Sequence, residues 1–120
     1  MEIETFYNVD GTAIAYIFDD EYVYLYDGAP VAFLNDGDIY AFTGRYLGWI
    51  QDGWVFGLDG RRVFFTEEAT GGPVRPVRKV RPVRGVRKVR PVRGVRQIRP
   101  IKPTRTLNWS PRSDRSFFEA

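Results

Sequence analysis

The sequence predicts an all-β fold: a small antiparallel β-meander of repeated hairpins, followed by an extended basic tail. Three observations predict it. Over residues 1–70, aromatic and β-branched residues form short strand-like runs. Asp-Gly pairs punctuate those runs. From Val74 the pattern changes to one aliphatic residue in every three, each followed by a cation.

The head yields seven runs in order: Ala13 to Phe18, Tyr22 to Tyr26, Val31 to Leu34, Ile39 to Phe42, Tyr46 to Ile50, Trp54 to Leu58 and Val63 to Phe65. In Tyr22-Val-Tyr-Leu-Tyr26 the strand period of two sends the tyrosines to one face and Val23 and Leu25 to the other. Asp10-Gly11, Asp27-Gly28 and Asp59-Gly60 read as hairpin dipeptides, because Gly and tolerably Asp accept positive φ. With Thr43-Gly44 they recur at intervals of 17, 16 and 16 residues. Each is followed by a strand, an acidic turn and a second strand; the fourth copy stops after Phe65. The expectation is a meander of about seven strands.

The head holds all the aromatic residues except Trp109, Phe117 and Phe118, and a single Pro, Pro30. That is too apolar for disorder. A head of this size is marginal alone. On one open sheet many rings would stay exposed, and exposed apolar patches mark interaction surfaces. The residues leave two architectures open: a monomeric sandwich or small barrel, and a symmetric oligomer that completes its core between subunits. Ala13, Ala15, Ala32, Ala41, Gly48 and Gly57 suit close sheet packing in either.

The tail runs as ten triplets from Val74-Arg-Pro to Ile101-Lys-Pro, after a Gly71-Gly72-Pro73 hinge. Period three matches neither strand nor helix but fits polyproline II, in which thirty residues span roughly 90 Å. Collagen is excluded, because Gly does not fill every third site. Ten triplets are also too few to stack as a β-helix. The expected division is 1–70 head, 71–106 triplet tail and 107–120 aromatic C-terminal anchor, the last carried by Trp109, Phe117 and Phe118. Ser113 and Ser116 to Glu119 suit one helical turn begun by Ser.

Net charge splits the same way. The head carries thirteen Asp/Glu against three Arg, and residues 71–120 carry fifteen Lys/Arg against two acids. Three uses of the tail follow. It is a solvated arm, a binder of nucleic acid or another polyanion, or a strap docked on the acidic head. The triplets lack interleaved aromatics for base stacking. A regular Val/Ile stripe favours docking, and opposite charges of similar size point the same way.

Much chemistry is excluded by composition. The chain has no His and no Cys, so no imidazole base, thiol nucleophile, disulfide or thiolate metal site exists. The carboxylates Asp19, Asp20, Glu21, Asp36, Asp38, Asp52 and Asp59 fall where Asp serves hairpin turns. Asn35-Asp-Gly-Asp38 lacks the longer loop and terminal Glu of an EF-hand. Neither a P-loop nor a dinucleotide fingerprint occurs. The start, Met1-Glu-Ile-Glu-Thr-Phe6, does not read as a signal peptide, so a cytoplasmic protein is expected. No catalytic residue, metal or cofactor is expected, and no membrane partner.

The run Asp27-Gly-Ala-Pro-Val-Ala-Phe-Leu34, with Leu47-Gly-Trp-Ile50, Gly53-Trp54, the Arg/Pro triplets and the Trp109-Ser…Phe117-Phe-Glu119 ending, resembles the bacterial 4-fold β-flower proteins. The resemblance implies a small all-β subunit assembled as a ring of four, and supplies no catalytic residues. The resulting expectation is a four-fold symmetric homotetramer acting as a non-catalytic, self-assembling scaffold. Tyr24, Tyr40, Trp49, Trp54 and Phe56 are its oligomer or core aromatics. Arg75, Arg78, Arg81, Arg84, Arg87, Arg90, Arg93, Arg96 and Arg99 dock the tail. The alternative use of those arginines is capture of nucleic acid or of a nucleotide-like or CoA-like phosphate ligand.

Overall fold

A computed structural model describes residues 4–119. Met1 to Ile3, the acidic start weighed above as a leader, lie outside them.

Eight strands follow one another: β1 Thr5–Tyr7, β2 Ala13–Phe18, β3 Tyr22–Leu25, β4 Pro30–Asn35, β5 Asp38–Tyr40, β6 Tyr46–Gln51, β7 Trp54–Gly57 and β8 Arg62–Phe65. Each pairs antiparallel with the next, and β1 returns to β8, so the meander closes into a barrel. The strand missing from the expected seven is β1. It has three residues and meets β8 through one pair, Tyr7↔Phe65. It pairs with β2 across the Gly11 turn, so the strands form four two-stranded units, β1–β2, β3–β4, β5–β6 and β7–β8, that close a ring within one chain.

The turns divide into two sets, one at each mouth of the barrel. Asp36-Gly37 and Asp52-Gly53 have positive φ at both residues and make tight two-residue hairpins. Asp19, Asp20 and Glu21 occupy the matching turn after β2, whose extra residue explains the one 17-residue interval. In the Asp-Gly and Thr-Gly turns only the glycine has positive φ. The N–H of Gly11 reaches back to the Asn8 carbonyl and that of Asn8 to the Thr12 carbonyl, both at 2.9 Å. Gly28, Gly44 and Gly60 repeat this arrangement. These are three-residue loops, each ending in a left-handed glycine, rather than Asp-Gly dipeptide turns.

Alternation along the strands sorts side chains as expected. Val23 and Leu25 share one buried cluster with Ala15, Ala32, Ile39, Leu47, Val55 and Val63. Those residues come from strands all round the ring, which can meet only inside it. The lumen is therefore aliphatic, with Phe6 and Phe64 stacked 5.8 Å apart. Rings on the other face form two outer clusters.

The expectation that many rings stay exposed is corrected here. Tyr7, Tyr16, Tyr24, Phe33, Tyr40, Trp49, Phe56 and Phe65 are at most 4% exposed in a single chain. The cover comes from the tail, so the core needs no second subunit. The four-fold repetition is internal to one chain.

Residues 74–105 form neither helix nor strand. They run round the barrel from turn to turn: Lys79 N–H donates to the Gly11 carbonyl, Lys88 to Gly28, Gln97 to Gly44 and Thr106 to Gly60, at 2.7–3.0 Å. Residues 74–109 would span roughly 110 Å at the polyproline II rise. A circle of that circumference is about 35 Å across, and the molecule measures 37 × 36 × 25 Å.

Past the tail, Trp109 packs edge-on against Trp54 and Phe65. The short helix α1, Ser116–Glu119, then places Phe117 and Phe118 against Phe64 in the lumen cluster. Asp114, not Ser113, caps that helix. Its carboxylate accepts the Ser116 N–H at 2.8 Å, and bonds to Ser116 hold its carboxyl below the usual range. Ser113 Oγ instead donates to the Val63 carbonyl at 2.6 Å and accepts the Val9 N–H at 2.9 Å.

Candidate functional site

The site is the seam between barrel and tail. It starts from four stacked ring pairs, each joining one two-stranded unit to the next: Tyr16 on Tyr24, Phe33 on Tyr40, Trp49 on Phe56 and Phe65 on Tyr7. Centroids lie 5.3–6.0 Å apart with planes within 26°. The last pair spans the weak β1–β8 junction.

A cation lies over most of these rings. Arg78, Arg87, Arg96 and Arg105 stand over Tyr7, Tyr24, Tyr40 and Phe56 at 5.5–5.9 Å. Arg84, Arg93 and Lys102 stand over Tyr16, Phe33 and Trp49 at 4.5–5.5 Å. Both sets are spaced by nine. The triplets carry this longer period themselves: Val-Arg-Pro/Gly, Val-Arg-Lys/Gln and Val/Ile-Arg-Pro recur over 74–82, 83–91 and 92–100. One nonapeptide serves each of three barrel units, and residues 101–109, which depart from the pattern, serve the fourth. Lys102 and Arg105, left out of the expected arginine set, continue the two series.

The other expected arginines differ. Arg87 also lies 3.7 Å from the Phe18 ring centroid. Arg90 lies 3.9 Å from that of Tyr22 and donates to the Tyr24 hydroxyl at 3.0 Å. Arg99 pairs with Asp38 at 3.1 Å. Arg75 donates to the Gly71 carbonyl at 3.3 Å. Arg81 meets neither a ring face nor a carboxylate among the described residues.

Two parts of the docking expectation are corrected. The Val/Ile stripe does not face the head: from Val74 to Ile101 its ten members are 88–98% exposed. The cations face inward because ring faces attract guanidinium. Head–tail ion pairing is also sparse. Among the described residues, three of the thirteen tail cations between Arg75 and Arg105 meet a carboxylate: Arg93 at Glu21, Arg99 at Asp38 and Arg105 at Asp52. The acids lie on turns at the mouths, away from the ring pairs.

Glycine makes the docking possible at the backbone level. At Gly28 and Gly44, with φ of +97° and +96°, a Cβ would strike the carbonyls of Val86 and Val95. Gly85 and Gly94 donate to Tyr26 and Phe42 carbonyls at 2.7 and 2.6 Å.

Among the remaining expected residues, Tyr24, Tyr40, Trp49, Trp54 and Phe56 are all buried within the one chain. Asp38 is the exception among the turn acids. It is 3% exposed and accepts the Tyr46 hydroxyl at 2.8 Å as well as Arg99. Burial first, then this bond and charge, push the Tyr46 phenol well above its usual range. Arg99→Ala would leave the carboxylate with the phenol alone. Because Arg99 itself is half exposed, the expected loss is discounted to about 1–2 kcal/mol, a fall of roughly 5–10 °C in melting temperature. Asp38→Asn added to it should recover part of the loss. A melt unchanged by Arg99→Ala would refute the pair's role.

Arg62 fastens the two ends of the tail and was not anticipated. It is 6% exposed, 4.6 Å from the Trp54 ring and 4.9 Å from Phe56. Its Nε donates to the Thr106 carbonyl at 3.1 Å. Its backbone bonds Asn108 and Ser110, while Gly72 at the tail's start lies against its guanidinium. The tail thus completes a full turn.

Residues 4–118 match the family model described as 4-fold beta flower protein. The chain belongs to that family. No curated protein and no solved structure matches it. The β-flower family is not a known enzyme family. In this β-flower, among the described residues, no group of three or more carboxylates is placed to hold a metal ion. No helix among those residues is long and apolar enough to cross a membrane. What the β-flower's seam can do chemically is hold guanidinium groups in fixed positions on ring faces.

Proposed function

We propose that this β-flower is a non-catalytic scaffold that uses its own tail as a rigid binding belt and self-associates through it. The observation that carries this reading is the stripe of ten Val/Ile side chains, 88–98% exposed on a segment anchored at Gly11, Gly28, Gly44 and Gly60. An apolar surface of that extent marks an interaction site. Since the barrel core is complete in one chain, a homotetramer would have to form through the belt rather than through the rings. Native mass spectrometry at micromolar concentration should find the chain assembled, with four copies as the expected state. Val83→Ser, Val86→Ser and Val89→Ser together should release monomers. Monomers from the unaltered chain would defeat the self-association reading.

A second reading, binding of polyanions or phosphate-bearing ligands, is favoured by a separate observation: among the described residues, ten of the thirteen tail cations meet no carboxylate. Retention on heparin should fall steeply with salt, as release of bound counterions requires. Failure to bind at low salt would remove this reading.

A further inference from the structure

The four units repeat one backbone plan, so differences between them stand out. Tyr22 in the second unit and Asp38 in the third hold the same place, each at the start of its unit's first strand. The third arginines of the second and third nonapeptides, Arg90 and Arg99, come down there. In the third unit Arg99 meets the Asp38 carboxylate. The cleft beside it, about 390 Å³, is lined by Arg96 and Arg99 but also by Asp36 and Asp38. In the second unit Arg90 meets the Tyr22 ring instead. Its cleft is larger, about 590 Å³, and is lined by Arg87, Lys88, Arg90 and Arg93, with no acid among the described residues of its wall. One of these four is partly taken up, since Arg93 bonds Glu21 at 2.7 Å.

Ring stacking holds the arginines in place. Arg87 lies over Phe18 and Arg90 over Tyr22, at 3.7 and 3.9 Å; one Arg90 N–H goes to the Tyr24 hydroxyl, and a guanidinium has further N–H groups for another acceptor. Donors fixed before binding lose less entropy when a ligand arrives. Planar forks of N–H donors suit phosphate oxygens. Arg87 and Arg90 lie over the partly exposed rings of the cleft, Phe18 and Tyr22, while Tyr24 and Phe42 are buried, so the cleft offers a nucleobase little open ring face.

We propose that the second-unit cleft, formed by Arg87, Lys88, Arg90 and Arg93 over Tyr22, binds a compact polyphosphate group. It recognises the phosphate chain itself and not an attached base. This rests on the anion-binding reading above and narrows it to one place of one-to-one stoichiometry.

The test is calorimetric titration of the full chain with inorganic tripolyphosphate at 150 mM salt. Saturable binding of one ion per chain is expected. Tyr22→Asp, which copies the third unit's carboxylate into the cleft, should weaken it at least tenfold. Arg90→Gln, on an exposed side chain, should do the same and serves if Tyr22→Asp fails to fold. Arg81→Gln, the first-unit counterpart, should stay within twofold of the unaltered chain. Adenosine triphosphate should bind within threefold of tripolyphosphate. No saturable binding, no effect of Arg90→Gln, or equal weakening by Arg81→Gln and Arg90→Gln would overturn the site. Adenosine triphosphate more than tenfold tighter would overturn recognition of the phosphate chain alone. Heparin retention reports separately on the wider belt, so it can persist when the cleft fails.

Discussion

Truncation after Thr70 is expected to abolish cooperative folding. The barrel strands all lie before that point, but the cover over their outer rings lies after it. Fully burying one large apolar side chain contributes about 1.5–3 kcal/mol. The tail covers only one side of each ring, so roughly 1 kcal/mol per ring is a fair share. Over the eight rings of the stacked pairs that equals the whole stability of a typical domain, about 5–15 kcal/mol. Loss of Phe117 and Phe118 also unplugs the lumen. Calorimetry should show no sharp transition for residues 1–70, and a dye that fluoresces on exposed apolar surface should bind them. A melt matching the full chain would mean that the tail contributes nothing to the fold.

Gly44→Ala is expected to cause the largest loss of any single methyl group. The φ of +96° disfavours any L side chain, and the new Cβ would meet the Val95 carbonyl. Left-handed strain costs roughly 1–2 kcal/mol, and displacing the tail there adds the loss of the Gln97 N–H bond to Gly44. The expected total is about 2–4 kcal/mol. Gly71→Ala is the control, because Gly71 also has positive φ but a Cβ there meets nothing. It should cost only the strain. Equal melting temperatures for the two variants would show that the tail does not bear on the turn.

Much of this fold was legible from residue order. Tyr22 to Tyr26 announced both faces of β3, and the intervals of 17, 16 and 16 announced four equal units. What escaped was closure. Thr5-Phe-Tyr7 is too short to stand out as a strand, and its value lies in a partner nearly sixty residues away. No local pattern reports that pairing. The tail was misjudged in a more instructive way. Val and Ile at every third place were expected to bury themselves, since aliphatic residues usually do. Yet the surface they would have covered is aromatic, and guanidinium competes for ring faces better than valine does. The charges misled similarly: the acids of the head sit at turns such as Asp27-Gly28, out of reach of most tail arginines. The nine-residue period was visible in the sequence, but only a four-unit barrel gives it meaning.

The fastening at Arg62 has a kinetic consequence. A strap that overlaps every junction between neighbouring hairpins holds them shut like a hoop round staves. The barrel cannot spread at its thinnest join, where β1 touches β8 through one pair, until the strap has lifted. Escape must begin where the strap's ends meet, at Trp54 and Trp109. The rate of unfolding is then governed by one buckle rather than by the sum of the strand contacts.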